Sequence, residues 1–196
     1  MTTSDALIVF VKNPVVGKVK TRLAATMGDQ RALDIYLELL EKTRCTLSSL
    51  SCTLYIYYSD FVDDADDWTT PPFLKRLQQG ADLGARMHHA LRECLLSHPK
   101  AVLVGSDIPE LQEIHIQDAF LALDNCDYVL GPAMDGGYYL VGMTSPETTI
   151  FQGISWSTPL VLEQTLQHIR TAGQQVQLLS VLSDIDTAAD WEKLQQ

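Results

Sequence analysis

Apolar and polar positions along the chain follow two periods in alternation. Short apolar runs rich in β-branched and aromatic residues occur at 7–11, 53–58, 101–105, 127–130, 138–142 and 176–179. Each reads as a buried strand. Between them apolar positions recur at helical spacing. Leu33, Tyr36, Leu37, Leu40 and Leu47 predict a long amphipathic helix over about 29–50, with its stripe in the core. Leu83, Met87, Ala90, Leu91 and Cys94 predict a second helix, with Asp82 as N-cap. Ile116, Ala119, Phe120 and Leu123 mark a third, and Leu162, Leu166 and Ile169 a fourth, with Thr158 as N-cap and Pro159 at its first position. Residues 19–25 look helical, and Thr187 or Asp186 caps a short final helix. Strands alternating with amphipathic helices predict an α/β fold with a mostly parallel sheet and helices on both faces. The strand pair around Asp135 adds an antiparallel element. No repeat, linker or low-complexity tract divides the chain, so one domain over 1–196 is expected.

Length supports that count. At 196 residues, 46% hydrophobic and 20% charged, the chain can bury a sizeable single core. A net charge of -11 argues against a sequence-independent nucleic-acid binder, which needs a broad basic face. No apolar stretch approaches the roughly 18 residues of a membrane span, and the opening Met1-Thr2-Thr3-Ser4-Asp5 lacks a basic leader. The four cysteines are dispersed without C-x-x-C spacing, which suits free thiols in a reducing compartment. A soluble, cytoplasmic protein is the expectation.

Against the acidic average, one stretch stands out. Lys12, Lys18, Lys20 and Arg22 fall within eleven residues, and no Asp or Glu occurs from Ala6 to Gly28. They follow a strand, around Asn13, Pro14 and Gly17, in the strand–loop–helix arrangement whose free backbone N–H groups cradle phosphates. A solvated basic helix start is the plainer alternative. A Walker A loop is excluded, because the positions it needs for Gly and Ser/Thr hold Lys12 and Val19.

Carboxylates supply the remaining candidate chemistry. Asp107 follows the strand at 101–105, where open α/β sheets place function; it could also cap the next helix, although Pro109 and Glu110 offer a later start. Asp135 lies in the Gly-rich connection Gly131-Pro132-Ala133-Met134-Asp135-Gly136-Gly137, which fits a sugar or ribose site or a plain hairpin. Gly80 and Gly84, beside Asp82, could let a ligand approach the backbone. The five aspartates in 60–67 lack the Gly and Glu of an EF-hand loop and read as a solvated loop, continued irregularly through Trp68 and Pro71-Pro72. His88, His89 and His98 have no partner at metal-ligand spacing.

Five motifs in order carry a resemblance over nearly the whole chain. They are Lys12-x-Pro14-x-x-Gly17-x-x-Lys20-Thr21-Arg22-Leu23, Asp82-Leu83-Gly84-x-Arg86-Met87, Gly105-Ser106-Asp107-Ile108-Pro109, Asp135-Gly136-Gly137-Tyr138-Tyr139-Leu140 and Asp184-Ile185-Asp186-Thr187-x-x-Asp190. Together they resemble a bacterial family of small GT-A-type glycosyltransferases in the nucleotide-diphospho-sugar transferase superfamily. Some also resemble phospholactate and molybdenum-cofactor guanylyltransferases. The resemblance implies a nucleotide's phosphates over the first loop, bound by Lys12, Gly17, Lys18, Lys20 and Arg22 with Asp82, Gly84 and Arg86. It further implies Mg²⁺ or Mn²⁺ at Asp107 and Asp186, with Asp107 and Asp135 catalytic. Acceptor or sugar contacts fall to Asp135, Gly136, Gly137 and Tyr138. Many superfamily members carry Asp-x-Asp at the metal strand, whereas this chain has Ser106-Asp107. The expected activity is glycosyl transfer from an NDP-sugar to a small-molecule acceptor, the alternatives being nucleotidyl transfer from an NTP or nucleotide binding without catalysis.

Overall fold

A computed structural model describes residues 4–69, 73–146 and 148–195. Met1–Thr3 and Pro71-Pro72, read above as a leaderless start and an irregular loop, lie outside the described residues. Seven strands form one sheet in the order β3-β2-β1-β4-β6-β5-β7. They are β1 (Ala6–Val11), β2 (Thr53–Tyr58), β3 (Leu74–Leu77), β4 (Ala101–Gly105), β5 (Tyr128–Pro132), β6 (Tyr138–Met143) and β7 (Val176–Leu178). All neighbours run parallel except β6, which is antiparallel to both β4 and β5. That reversal is the antiparallel element expected around Asp135, and it folds the 131–137 connection into a hairpin.

Among the described residues there are six helices: α1 (Thr21–Met27), α2 (Asp29–Leu47), α3 (Leu83–Leu95), α4 (Glu113–Ala122), α5 (Val161–Thr171) and α6 (Ala188–Leu194). The period-2 pleat of the central strands sends Leu7, Val9 and Val11 to one face and Ala6 and Ile8 to the other. On the first face they meet Leu33, Tyr36, Leu40 and Leu47 of α2 and Ile116 and Ala119 of α4. On the second they meet Met87, Ala90, Leu91 and Cys94 of α3 and Ile169 of α5. Both faces of the inner strands are therefore dry, which is why they read as continuous apolar runs. A third, smaller cluster joins Leu23 of α1, Ala32, Ile35 and Leu39 of α2, and Ile185 and Trp191. It pins the C-terminal segment against the helix that follows the basic loop.

Several boundaries differ from the sequence reading. The helix expected over 19–25 starts at Thr21, because Val19 is buried and Lys20 adopts a left-handed conformation, φ 47° and ψ 46°. Helix α2 ends at Leu47, where the Ser48 hydroxyl donates to the Arg44 carbonyl at 2.6 Å. Leu37 falls off the α2 stripe and is 45% exposed. Leu83 is likewise exposed, although Asp82 caps α3 as expected and accepts from Ala85 N at 2.8 Å. Helix α5 starts at Val161 after Leu160, so Thr158 is not its N-cap. Its hydroxyl instead closes a turn, donating to Ser155 O at 2.7 Å and accepting from Leu160 N at 3.3 Å. Strand β3, four residues at the sheet edge, has no counterpart in the reading. Lys75 on it reaches Asp66 at 2.5 Å, so part of the acidic 60–67 loop is tied down and not merely solvated.

Candidate active site

The site forms where β1, β4 and the β5–β6 hairpin end on one rim of the sheet. Parallel register sets Phe10 of β1 opposite Gly105 of β4, so the loops beginning at Lys12 and Ser106 leave side by side. Two buried groups hold the first loop. The Tyr36 hydroxyl accepts from Lys12 N at 2.9 Å and donates to Lys12 O at 3.0 Å; burial raises its pKa, so it stays a neutral clamp. The Asn13 carboxamide accepts from Asp60 N at 3.0 Å and donates to Phe61 O at 2.9 Å. The chain then turns through Gly17, φ 75°, where a side chain would be strained.

Lys20 is the centre of the arrangement. Its left-handed backbone lets its ammonium reach Asp107 Oδ2 at 2.6 Å and Asp186 Oδ1 at 3.4 Å. Its side chain is only 6% exposed, against 34% for Asp107 and 38% for Asp186. Burial alone would lower its pKa, but the two carboxylates more than offset that and raise it. Arg22, two residues on and 72% exposed, reaches Asp186 Oδ2 at 3.3 Å. The 184–186 segment is carried there by Ile185, whose N donates to Asp107 O at 3.3 Å and whose side chain joins the third cluster. Thr187 and Asp190 form the capping box that starts α6 immediately after it. Asp107 is not a helix cap: α4 begins later, with Gln112 as its N-cap.

These groups line a cleft of about 690 Å³ that includes Lys12, Lys20, Arg22, Tyr36, Gln78, Asp107, Asp135 and Asp186. A second lobe of about 270 Å³ opens from it, sharing Asp107, Asp135, Ser157 and Thr158. Its walls are largely apolar, with Met87, Leu103, Tyr138 and Trp156, and Asp184 lines it too. Burial, followed by the neighbouring Asp186, Asp107 and Asp135 carboxylates, pushes the Asp184 pKa up to about 6. Among the described residues, the non-glycine residues with positive φ are Lys20 and Ser157, and both line the cleft.

The structure thus brings Lys12, Lys20, Arg22, Asp107, Asp135 and Asp186 to one cleft, with Gly137 and Tyr138 on its smaller lobe. Gly17 and Lys18 are exposed and outside the lining of either lobe. Asp82 and Arg86 are engaged within their own turn, the Arg86 Nε donating to Gly80 O at 3.2 Å. Gly84 admits a protein group: a Cβ there would lie 2.4 Å from Trp156 Cζ2. Gly136, φ 88°, gives the hairpin a close seat on Pro159, where a Cβ would meet the carbonyl oxygen at 2.3 Å. Sequence reasoning assigned no role to Asp184, Trp156, Ser157 or Gln78. The signal for Asp184 was present, since it opens the Asp-Ile-Asp motif.

Among the described residues no three or more His, Cys, Asp or Glu side chains converge on a ready-made metal cage. The donor set still suits a hard divalent ion. Asp107 and Asp186 pair with Lys20 and Arg22, while Asp135 and Asp184 add two further carboxylates to the same site, and burial followed by these neighbouring carboxylates raises the Asp184 pKa.

Comparison with known proteins follows this geometry. Residues 43–158 match a family described as an uncharacterised protein conserved in bacteria (DUF2064). A solved structure from Desulfovibrio desulfuricans G20, provisionally described as a nucleotide-diphospho-sugar transferase, shares 35% identity. It covers 98% of this chain and 87% of its own, with a TM-score of 0.88. The chain belongs to the DUF2064 family and has a nucleotide-diphospho-sugar transferase-like fold. More distant likenesses, which bear on the fold alone, include 4-diphosphocytidyl-2C-methyl-D-erythritol synthase from Anaerococcus prevotii DSM 20548. Identity there is 10%, coverage 99% and 97%, and TM-score 0.63. Rv0371c from Mycobacterium tuberculosis H37Rv, solved in complex with manganese, shares 14% identity, with coverage of 99% and 98% and a TM-score of 0.51. No curated protein matches the chain by sequence. Among the described residues no helix is long and apolar enough to cross a membrane.

Proposed function

We propose that this member of the DUF2064 family is a transferase acting on a nucleotide-activated donor, and that it moves a glycosyl group from an NDP-sugar to a small-molecule acceptor. The observation that carries the reading is Lys20, a nearly buried cation between Asp107 and Asp186 on a cleft that also presents Lys12 and Arg22. A diphosphate leaving group needs fixed positive charge that is already in place when the bond breaks. Lys20, Lys12 and Arg22 supply it from one short segment. The provisional description of the D. desulfuricans relative, at 35% identity, points the same way.

In this reading the acceptor oxygen bonds to the anomeric carbon as the bond from that carbon to the β-phosphate oxygen breaks. The NDP leaves with the electron pair. Asp135, whose Oδ1 is fixed by Gly137 N at 2.9 Å, orients the acceptor hydroxyl and takes its proton. When bound, Mg²⁺ or Mn²⁺ held by Asp107 and Asp186 supplies further charge neutralisation at the donor phosphates. The setting is cytoplasmic, consistent with the free thiols of Cys45, Cys52, Cys94 and Cys126.

Melting the protein with NTPs, NDPs and NDP-sugars, with and without Mg²⁺ or Mn²⁺, tests the reading. A donor at ~100 times its Kd should add roughly 2.7 kcal/mol. Release of NDP from the stabilising donor supports glycosyl transfer, whereas release of pyrophosphate from an NTP assigns nucleotidyl transfer instead. Stabilisation by a nucleotide without turnover of any donor would leave only a binding protein.

A further inference from the structure

The smaller lobe differs from the cleft it opens onto in a way that bears on what it can hold. At about 270 Å³ it is near the small end of ligand pockets and suits a ring-sized body. Its walls are closely packed. Trp156 stands edge-on to Tyr138, with ring centroids 6.5 Å apart and planes at 83°, and lies so close to α3 that only a glycine fits at position 84. Asp107, Asp135 and Asp184 are its charged groups, and no Lys, Arg or His lines it among the described residues. The cations of this site all lie in the neighbouring cleft.

We propose that this lobe is the acceptor site, and that it takes a molecule with an apolar body and a nucleophilic hydroxyl or amino group but no phosphate or carboxylate. The proposal rests on the transferase reading and narrows its acceptor. An anionic acceptor would enter a partly apolar space, lose water, and meet three carboxylates, of which only Asp107 has a cation at hand, the Lys20 ammonium that it already pairs with. A hydroxyl or ammonium finds acceptors for its hydrogen bonds in the same carboxylates, while Trp156 and Tyr138 cover its apolar part. Asp107 and Asp135 are shared with the phosphate-bearing cleft, so a nucleophile held by them lies at the junction of the lobes. The charge difference between the lobes thereby separates an anionic donor from an uncharged or cationic acceptor.

The test uses four probes of similar size on the intact protein: tyramine, 4-hydroxybenzyl alcohol, 4-hydroxyphenylacetate and phenyl phosphate. Dissociation constants are read by saturation-transfer NMR. Tyramine and 4-hydroxybenzyl alcohol should bind at least tenfold more tightly than the two anions, and Trp156→Leu should weaken both at least fivefold. The inference is overturned if the anions bind equally well or better, if neither uncharged nor cationic probe binds, or if a folded Trp156→Leu protein binds them unchanged. Should Trp156→Leu fail to fold, the wild-type order of the four probes decides. Nucleotide binding, measured on the same samples, bears only on the donor reading. Its failure alongside the expected probe order would remove the transferase and leave the pocket chemistry standing.

Discussion

Lys20 and Asp107 meet at 2.6 Å across 87 residues of chain. The contact joins the loop after β1 to the loop after β4, and Asp186 shares the same ammonium from a third segment. A lysine that merely neutralised surface charge would have no reason to be nearly buried in a left-handed backbone conformation. Lys20→Met should therefore lower kcat/KM about 10²–10³-fold, on the scale of losing one fixed donor to a developing negative charge. Asp107 is one-third exposed, so its stability coupling to Lys20 should be modest, about 1 kcal/mol. A double-mutant cycle of Lys20→Met with Asp107→Asn, followed by urea unfolding, measures it.

Arg22 offers a contrast. Its pair with Asp186 is long, at 3.3 Å, and its side chain is mostly in water, so the pair adds little to folding. Arg22→Ala should change stability by no more than about 0.5 kcal/mol. It should still lower kcat/KM by one to several kcal/mol if the guanidinium meets a donor phosphate. Parallel melts and kinetics separate the two effects, and full activity of the variant would remove the phosphate role.

Asp184 gives the site a pH signature. Its folded pKa, about 6, lies above the unfolded carboxylate value of about 3.9. Between those values the folded state binds more protons than the unfolded one. Stability from this group therefore falls as pH rises from about 4 to about 6, and the full penalty remains above that. Asp184→Asn removes the slope. With chelator present, the variant's gain in Tm over wild type should be larger at pH 7.5 than at pH 4.5; equal gains at both would contradict the assignment.

The packing of Gly84 on Trp156 predicts a coupled pair. A Cβ at Gly84 would sit 2.4 Å from the indole, so Gly84→Ala should destabilise by about 1–3 kcal/mol despite alanine's better helix propensity. In a Trp156→Ala background the cost of the same change should shrink but not vanish, because the Phe151 carbonyl oxygen would still lie 2.9 Å from the new Cβ. Thermal melts of the single and double variants measure the coupling.

The inner strands were legible because burial on both faces leaves them uninterrupted apolar runs, and β2 has the bounds its sequence suggests. Strand β3 was not, since Leu74-Lys75-Arg76-Leu77 is a short alternating edge segment with no run to detect. The basic cluster and the three distant aspartates were readable as chemistry, and Lys12, Lys20, Arg22, Asp107, Asp135 and Asp186 do line one cleft. What local pattern could not supply was conformation imposed from afar. Val19-Lys20-Thr21 is compatible with a helix, yet Val19 is buried and Lys20 is left-handed, with its ammonium meeting carboxylates contributed by later segments. Gly84 looked like space for a ligand because its neighbour Trp156 is far away in sequence.

The ion pair between Lys20 and Asp186 spans 166 residues, which has a kinetic consequence. Contacts so distant in sequence carry a large loop-closure cost and are expected to close only after the intervening sheet has formed. Weakening this pair with Lys20→Met should then hasten unfolding and leave the folding rate nearly unchanged, which stopped-flow folding and unfolding rates measure.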